Sequence, residues 1–418
     1  MTVDIRLITD DDIEAFSSRV TNAFGEDQRE GHGERLKATI GLDRTHGAFD
    51  GDRIVGTMAA YRFALSVPGA LDVFAAGLSA VSVAPTHRRQ GILRQMIEAH
   101  FDLAVAGGEP VSILWASEIE IYRRFGYGQT STNARIDFDT RQAAIAPPPE
   151  RDELVTIDAT EAATVLPPVH ERARRRRPGQ FARTDAWWAN RELPDHEWQR
   201  EGQTARRYVI ARRDGETVGY VVYRQKSHWN DQDLPEGTVS VSELVAVDDR
   251  AAHTLWWYVA NIDLFPKVKS WSQPTDTIVP WLTGNHRAIG QYVNDGIQLR
   301  VLDVEAALSA RRYDQPGRLV IEVVDRSAIA ETSDRPFPRS IAGAYALEVA
   351  EDGSATCTRT DEPASATLST LGLGAIYLGT PANNGLRLRG HLVGDDEAVD
   401  ALRRTFSWPV APWCPDGF

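Results

Sequence analysis

Residues 78–97, LSAVSVAPTHRRQGILRQMI, change periodicity twice in a short span. A β-branched alternation (Val81, Val83) stops at Pro85 and a basic turn follows (His87, Arg88, Arg89, Gln90, Gly91). Apolar residues then recur at helical spacing (Ile92, Leu93, Met96, Ile97), so the pattern predicts strand, turn and helix. A helix start carries unpaired backbone N–H groups and the positive end of the macrodipole, and a flexible turn placed there can wrap a pyrophosphate. Gly91 lets backbone approach an anion closely, while Arg88, Arg89 and Arg94 add charge. Taken alone, the turn reads by default as an ordinary exposed basic strand-to-helix connection.

A second segment decides between these readings. Residues 111–128, VSILWASEIEIYRRFGYG, read as a buried strand (Val111 to Trp115), a helix opening at Ser117-Glu118 and a stop at Gly126. The spacing Arg88-x-x-Gly91 after a V-x-V strand resembles the acetyl-coenzyme A signature of the GNAT superfamily of N-acetyltransferases, Q/R-x-x-G-x-G/A, with Leu93 at the second small position. Tyr122-Arg-Arg-Phe-Gly126-Tyr127 resembles that superfamily's Y-x-x-x-G-F ending, with Tyr127 in place of Phe.

The 418 residues suggest about three domains. With 42% hydrophobic and 25% charged residues, the chain is globular and able to bury sizeable cores. A net charge of −13 argues against non-specific nucleic-acid binding and is compatible with steering cationic substrates. No apolar run reaches membrane-spanning length and the opening MTVDIRLITDDD is acidic rather than signal-like, so a cytoplasmic protein without a membrane partner is expected. Cys357 and Cys414 are too few for a disulfide framework or a Cys-rich metal site, and no metal is expected. The one basic cluster, Glu171 to Arg177, precedes Pro178-Gly179 and reads as a solvated helix end or an interdomain or subunit contact, ahead of nucleic acid.

Along the chain, residues 3–8 alternate like a first strand, and Asp10-Asp11-Asp12 offers an N-cap to a helix reaching about Phe24. The following FGEDQREGHGERLK reads as a polar, acidic loop. His46 to Leu65 reads as a hairpin with its turn at Asp50-Gly51-Asp52, residues 130–140 as a last strand, and the Ala-Pro run at 144–149 as a linker. An internal echo follows: Tyr208 to Tyr223 repeats the hairpin and Val241 to Ile262 repeats strand, turn and helix. Where the first copy has arginines and Gly91, the second has Asp248-Asp249-Arg250-Ala251, whose acidity and lack of glycine predict a copy without coenzyme A. Beyond Val301 the pattern becomes short helix (Val304 to Arg311), strands at 317–324, 343–350, 356–360 and 366–369, and helices at 371–378 and 397–406. This is an α+β unit that could enclose a lipid or only its own core. The closing SWPVAPWCPDGF is too apolar and stiff to fray and is expected to dock.

The order of an active GNAT unit, a degenerate GNAT unit and a sterol-carrier-like α+β unit resembles the enhanced intracellular survival (Eis) family of acetyltransferases over the whole chain. The implied fold is mixed α/β, with domains at 1–143, 150–295 and 300–418 and the C-terminus docking into the active site. The resemblance assigns acetyl-coenzyme A to Val81, Ser82 and Val83, to Arg88, Arg89, Gln90, Gly91, Ile92, Leu93 and Arg94, and to Ser117 and Glu118. Backbone groups of Val81 to Val83 would pair with pantetheine as an added strand. Tyr122 falls on the family's general acid, and the free α-carboxylate of Phe418 on its base. That carboxylate would act weakly unless its surroundings raise its pKa, or it could anchor the ammonium instead. Phe24, Glu26, Asp27 and Asp416 are candidates for holding the acceptor.

The implied reaction is direct acetyl transfer to primary amines of aminoglycosides, other polycations or lysine side chains. The alternatives are a lipid or sterol carrier using the GNAT units as scaffold, and an enzyme for one metabolic amine. A homohexamer is also implied, with Trp187-Trp188 and Trp256-Trp257 as surface or core candidates.

Overall fold

β-branched and aromatic residues recur in three blocks of the chain, and each block builds a sheet. The structure, a computed structural model, describes residues 3–29, 31–326 and 338–418. The chain divides into two compact units: Met1–Ser131, Gly296–Pro409 and Asp416–Phe418 form one, Thr132–Asp295 and Val410–Pro415 the other.

Among the described residues, the first unit contains a seven-stranded sheet of β1 (Asp4–Leu7), β2 (Thr45–Asp50), β3 (Arg53–Val67), β4 (Leu71–Val83), β5 (Val111–Leu114), β6 (Gly128–Gln129) and β14 (Gln298–Val301). Its order is β1-β2-β3-β4-β5-β14-β6. The hairpin turn falls at Asp50-Gly51-Asp52 as the pattern predicts, with Gly51 left-handed at φ 62°. Helices α1 (Ile13–Ala23), α2 (His32–Thr39), α3 (Ile92–Ala106) and α4 (Ile119–Arg123) accompany it. The apolar stripe of α3 (Ile92, Met96, Ile97, Phe101) packs with Met58, Leu78 and Leu114 into one core. The predicted loop after Phe24 is only partly a loop. Its second half is α2, held to α1 by a 3.1 Å hydrogen bond between Ser17 Oγ and His32 Nδ1, a tertiary contact that outweighs a polar composition.

In the second unit the sheet has the order β13-β7-β12-β11-β10-β9-β8. Its strands are β7 (Thr132–Asp139), β8 (Glu153–Ile157), β9 (Arg207–Arg213), β10 (Glu216–Lys226), β11 (Thr238–Ala246), β12 (Lys267–Gln273) and β13 (Ile289–Asp295), accompanied by α5 (Thr140–Ala143), α6 (Ala159–Arg174), α7 (Asp185–Trp187) and α8 (Asp249–Ala260). Chain order and sheet order part company twice. β7 follows the first set of motifs, yet pairs with β12 and β13, where Ala134, Ile136 and Phe138 join the core of Val239, Val241 and Leu255. β14 follows β13, yet is inserted between β5 and β6, buried on both faces. The tryptophans Trp187, Trp188 and Trp256 are core residues of this unit, between 2% and 5% exposed. Arg174 in the basic cluster is buried against Glu171, and Arg177 pairs with Asp276 at 2.7 Å, so the cluster is more than a solvated helix end.

The third sheet, of β15 (Gly317–Val324), β16 (Gly343–Val349), β17 (Ala355–Arg359), β18 (Ala366–Ser369) and β19 (Leu392–Val393), belongs to the first unit and has the order β17-β16-β15-β18-β19. Beside it lie α9 (Val304–Ser309), α10 (Thr370–Ile376), α11 (Asn384–Leu388) and α12 (Asp396–Phe406). Every residue of α10 is buried. A Cβ at Gly128 would collide with the Leu371 carbonyl, and one at Gly374 with the Leu299 carbonyl, so backbone packs directly on backbone here. We predict that Gly128→Ala or Gly374→Ala costs about 1–3 kcal/mol through overpacking. Scanning calorimetry should show this as a melting midpoint lowered by several degrees; an unchanged midpoint would place the helix elsewhere.

Candidate active site

The site begins with a fault in a strand. Register between β3 and β4 runs Ala59↔Ser79 and then Thr57↔Ser82, so β4 carries one extra residue, with Ala80 left-handed at φ 51°. The Thr57 hydroxyl lies 2.7 Å from both the Ala80 carbonyl and Ser82 Oγ, which ties the bulge to β3. β4 and β5 pair as parallel strands only at Ala75–Gly77 with Val111–Ile113. Beyond Gly77 they diverge, and Val81, Ser82 and Val83 face a cavity of about 700 Å³ instead of a neighbouring strand.

The turn after β4 forms the far wall. Arg89 and Gly91 are both left-handed, at φ 64° and 84°, an alternation that aims successive N–H groups into one hollow. Gly91 caps α3 without any side-chain bond, and a Cβ built there meets nothing within 4 Å. Arg88, Arg89, Gly91, Ile92, Leu93 and Arg94 all line the cavity, as do Ser117, Glu118, Tyr122 and Phe24. Gln90 does not; its amide turns back to the Thr86 carbonyl. Glu26 and Asp27 are exposed on the turn after α1 and do not line the cavity either.

His87, Ile121, Arg124 and Phe125 also line it and escaped the sequence reading as site residues. A signal for two of them existed. Glu118, Ile121, Tyr122 and Phe125 follow the i, i+3, i+4, i+7 spacing of one helix face, although the helix itself covers only Ile119–Arg123. His87 is held by Thr86 Oγ1 at 2.8 Å and Asp50 Oδ2 at 3.3 Å, which fastens the basic turn to the β2–β3 hairpin.

Tyr122 is 8% exposed, and burial together with the Glu118 carboxylate pushes its phenol up to about 12. Its ring meets Tyr127 edge to face at 6.1 Å. Behind it, Ser112 Oγ lies 2.7 Å from both Tyr127 Oη and His100 Nε2 and donates to the Ala76 carbonyl, joining α3, β4 and β5 at the point of divergence. His100 is fully buried, and desolvation lowers its pKa to about 3, so it stays neutral.

The chain end approaches the same strands. The Phe418 ring lies 4.9 Å from Phe63 and 6.2 Å from Tyr61 on β3, beside Gly77, whose missing side chain leaves room for the Phe63 ring. Trp115, just past β5, donates its indole N–H to the Asp416 carbonyl at 2.7 Å. Asp416 is buried, and neither Asp416 nor Phe418 lines the 700 Å³ cavity.

The echo in the second unit has its helix start capped by a side chain of its own. Asp248 accepts the Ala251 N–H at 2.9 Å as N-cap of α8, and its carboxyl pKa is lowered chiefly by Arg213, bonded at 2.7 Å. The groups that would meet a phosphate are thus a carboxylate and an N–H already in use. Among the described residues no group of three or more His, Cys, Asp or Glu side chains is placed to hold a metal ion.

Known proteins match this architecture piece by piece. Residues 4–130 and 179–301 each fit an acetyltransferase (GNAT) domain model, and residues 304–415 a sterol carrier protein domain model. An uncharacterized N-acetyltransferase of Streptomyces avermitilis is 35% identical over the whole of both chains. N-acetyltransferase Eis of Mycobacterium tuberculosis is 34% identical over 86% of this chain and 83% of its own. The crystal structure of Eis1 from Mycobacterium abscessus superposes with a TM-score of 0.84 at 28% identity, covering 99% of this chain and all of that one. The chain, with two GNAT domains and a sterol-carrier-like domain, belongs to the Eis-like N-acetyltransferases of the GNAT superfamily.

Proposed function

We propose that this acetyltransferase moves the acetyl group of acetyl-coenzyme A directly to a primary amine of a polycationic acceptor, an aminoglycoside or a lysine ε-amine among them. The observation that carries the cofactor half of this reading is the edge of Val81–Val83 turned away from β3, which has no β5 partner and opens onto an arginine-lined cavity beside a glycine turn with no capping side chain. That surface suits pantetheine lying as an added strand and a pyrophosphate at the start of α3. Arg88, Arg89, Arg94 and Arg124 supply the charge.

The thioester supplies an activated acyl group; the residues supply position and protons. One N–H of Val81–Val83 serves the oxygen on which negative charge develops. Tyr122 holds a proton throughout the physiological range and offers it from Oη to the departing sulfur. The attacking amine loses one proton, which the Phe418 α-carboxylate receives or passes to water. The overall change is amide plus thiol. Net charge −13 supports a cationic acceptor through long-range steering, with Phe24 on the cavity wall and Asp416 near the chain end as contacts. Family resemblance supports a cytoplasmic homohexamer; no helix among the described residues is long and apolar enough to cross a membrane.

Tyr122→Phe should lower kcat by about 10²–10⁴-fold with KM for acetyl-coenzyme A little changed. Steady-state thiol release measures both, and unaltered kcat removes Tyr122 as proton donor. Because the proton-bearing form is the active one and its pKa is raised, ionisation of Tyr122 takes effect only near pH 12. The kcat profile of the parent enzyme should therefore show no alkaline limb below about pH 11; a limb near pH 9 would assign the acid to another group. One residue added after Phe418 should abolish turnover on a panel of aminoglycosides, polyamines and lysine peptides. Full activity of that extended chain would return the base to water or an internal residue, and no activity of the parent on any amine would favour the carrier reading.

A further inference from the structure

Arg123 stands beside Tyr122 in the sequence, and the chemistry above gives it no part. Ile121, Tyr122, Arg124 and Phe125 line the cavity; Arg123 does not. Its guanidinium goes instead to His391 of the sterol-carrier-like domain, with Nη2 3.3 Å from the ring Nε2, while Nη1 donates to Glu120 Oε1 at 3.0 Å. The Glu120 side chain is 83% exposed, so that pair is screened by water. The contact with His391 is the sheltered one, for His391 is 3% exposed.

His391 is held firmly on its own side. A guanidinium has only donors, so Nε2 is the acceptor and the ring is neutral, with its proton on Nδ1. That proton goes to Ser369 Oγ at 3.2 Å, which also accepts the Gly372 N–H at 3.0 Å as N-cap of α10. The His391 N–H donates to the Leu386 carbonyl at 2.8 Å, and the His391 carbonyl accepts the Ser369 N–H at 3.0 Å. A Cβ at Gly372 would lie 2.4 Å from that carbonyl oxygen, so backbone again meets backbone. His391 is thus fixed to β18 and α10 independently of Arg123.

What Arg123 ties to this anchor is a helix too short to stand alone. α4 has 5 residues, where an isolated helix needs about 12–15, and its N-cap Glu118 makes no side-chain bond. Successive helical residues point about 100° apart, so a contact at Arg123 resists rotation of α4 about its axis and fixes the direction of Tyr122. We infer that the sterol-carrier-like domain braces the acid-bearing helix: the Arg123–His391 contact sets the place of Tyr122 Oη. Arg123 and His391 act through Tyr122 and are positioning residues. The inference rests on the reading of Tyr122 as proton donor given above.

Three substitutions test it; calorimetry establishes that each variant is folded. Arg123→Ala removes the donor. His391→Asn keeps a polar atom for Ser369 and loses the acceptor for Arg123, whereas His391→Gln keeps that acceptor. A misplacement of about 1 Å can cost roughly 10²-fold in rate, and loss of the brace should lower kcat by about 10-fold in Arg123→Ala and in His391→Asn, with KM for acetyl-coenzyme A unchanged. His391→Gln should keep kcat within about 2-fold of the parent value. Arg123→Ala and His391→Asn together should cost no more than either alone, and neither should cause further loss in a chain already carrying Tyr122→Phe. Equal losses with and without the Tyr122 hydroxyl would mark a general structural effect and overturn the proposal, as would equal losses in the Asn and Gln variants. If Tyr122→Phe itself leaves kcat unaltered, the acid reading fails and this role with it. If Tyr122→Phe lowers kcat while Arg123→Ala and His391→Asn keep the parent value, only the brace fails.

Discussion

An interrupted strand pairing is the feature on which this molecule depends. A parallel partner normally satisfies the backbone of a central strand, and a buried polar group left without one costs about 1–3 kcal/mol. β4 gives up that partner after Gly77 because the extra residue at Ala80 turns it away from β5. The Thr57 hydroxyl meets the displaced Ala80 carbonyl, and the Tyr127–Ser112–His100 chain pins the strands where they begin to diverge. What remains is a short length of half-buried backbone at Val81–Val83, paired with β3 on one side and without a strand on the other, that a ligand can complete.

The second unit repeats the divergence without the same result. Its helix start is closed by the Asp248 cap and the Arg213 ion pair, and its strand end shares a cavity wall with the C-terminal tail. The two copies therefore differ at the helix start, which is basic and without a capping side chain in one and capped by a carboxylate in the other. The difference lies in a few turn residues, since the hairpin, strand and helix of each copy follow the same order.

Close backbone contact organises the remainder. α10 reaches β6 and β14 only because Gly128 and Gly374 lack side chains, and every residue of the helix is packed in the core. β14 completes a sheet whose other strands end at Gln129, so that sheet does not form from one contiguous stretch, and β7 pairs with β12 and β13 from the far end of its own stretch. Such pairings have large sequence separation, so loop-closure entropy must be overcome before they form and folding is slowed.

The strand, turn and helix around Gly91, the hairpins at Gly51 and Gly215, the acidic turn at Asp248 and the α+β pattern after Val301 were legible in the sequence, because periodicity and turn chemistry are local. Arg88, Arg89 and Arg94 were legible from the turn that carries them, whereas Tyr122 was singled out by its resemblance to a family motif and Arg124 not at all. Strand exchange was not legible, since β7 alternates as correctly for one sheet as for the other. α2 was hidden by its polar composition, and the burial of Arg174, Trp187 and Trp256 depends on partners distant in the chain. The tail's apolar, proline-rich character showed that it would dock; where it docks was decided by Gly179, Asp276, Ser272 and Trp115, residues that come near it only in the folded chain.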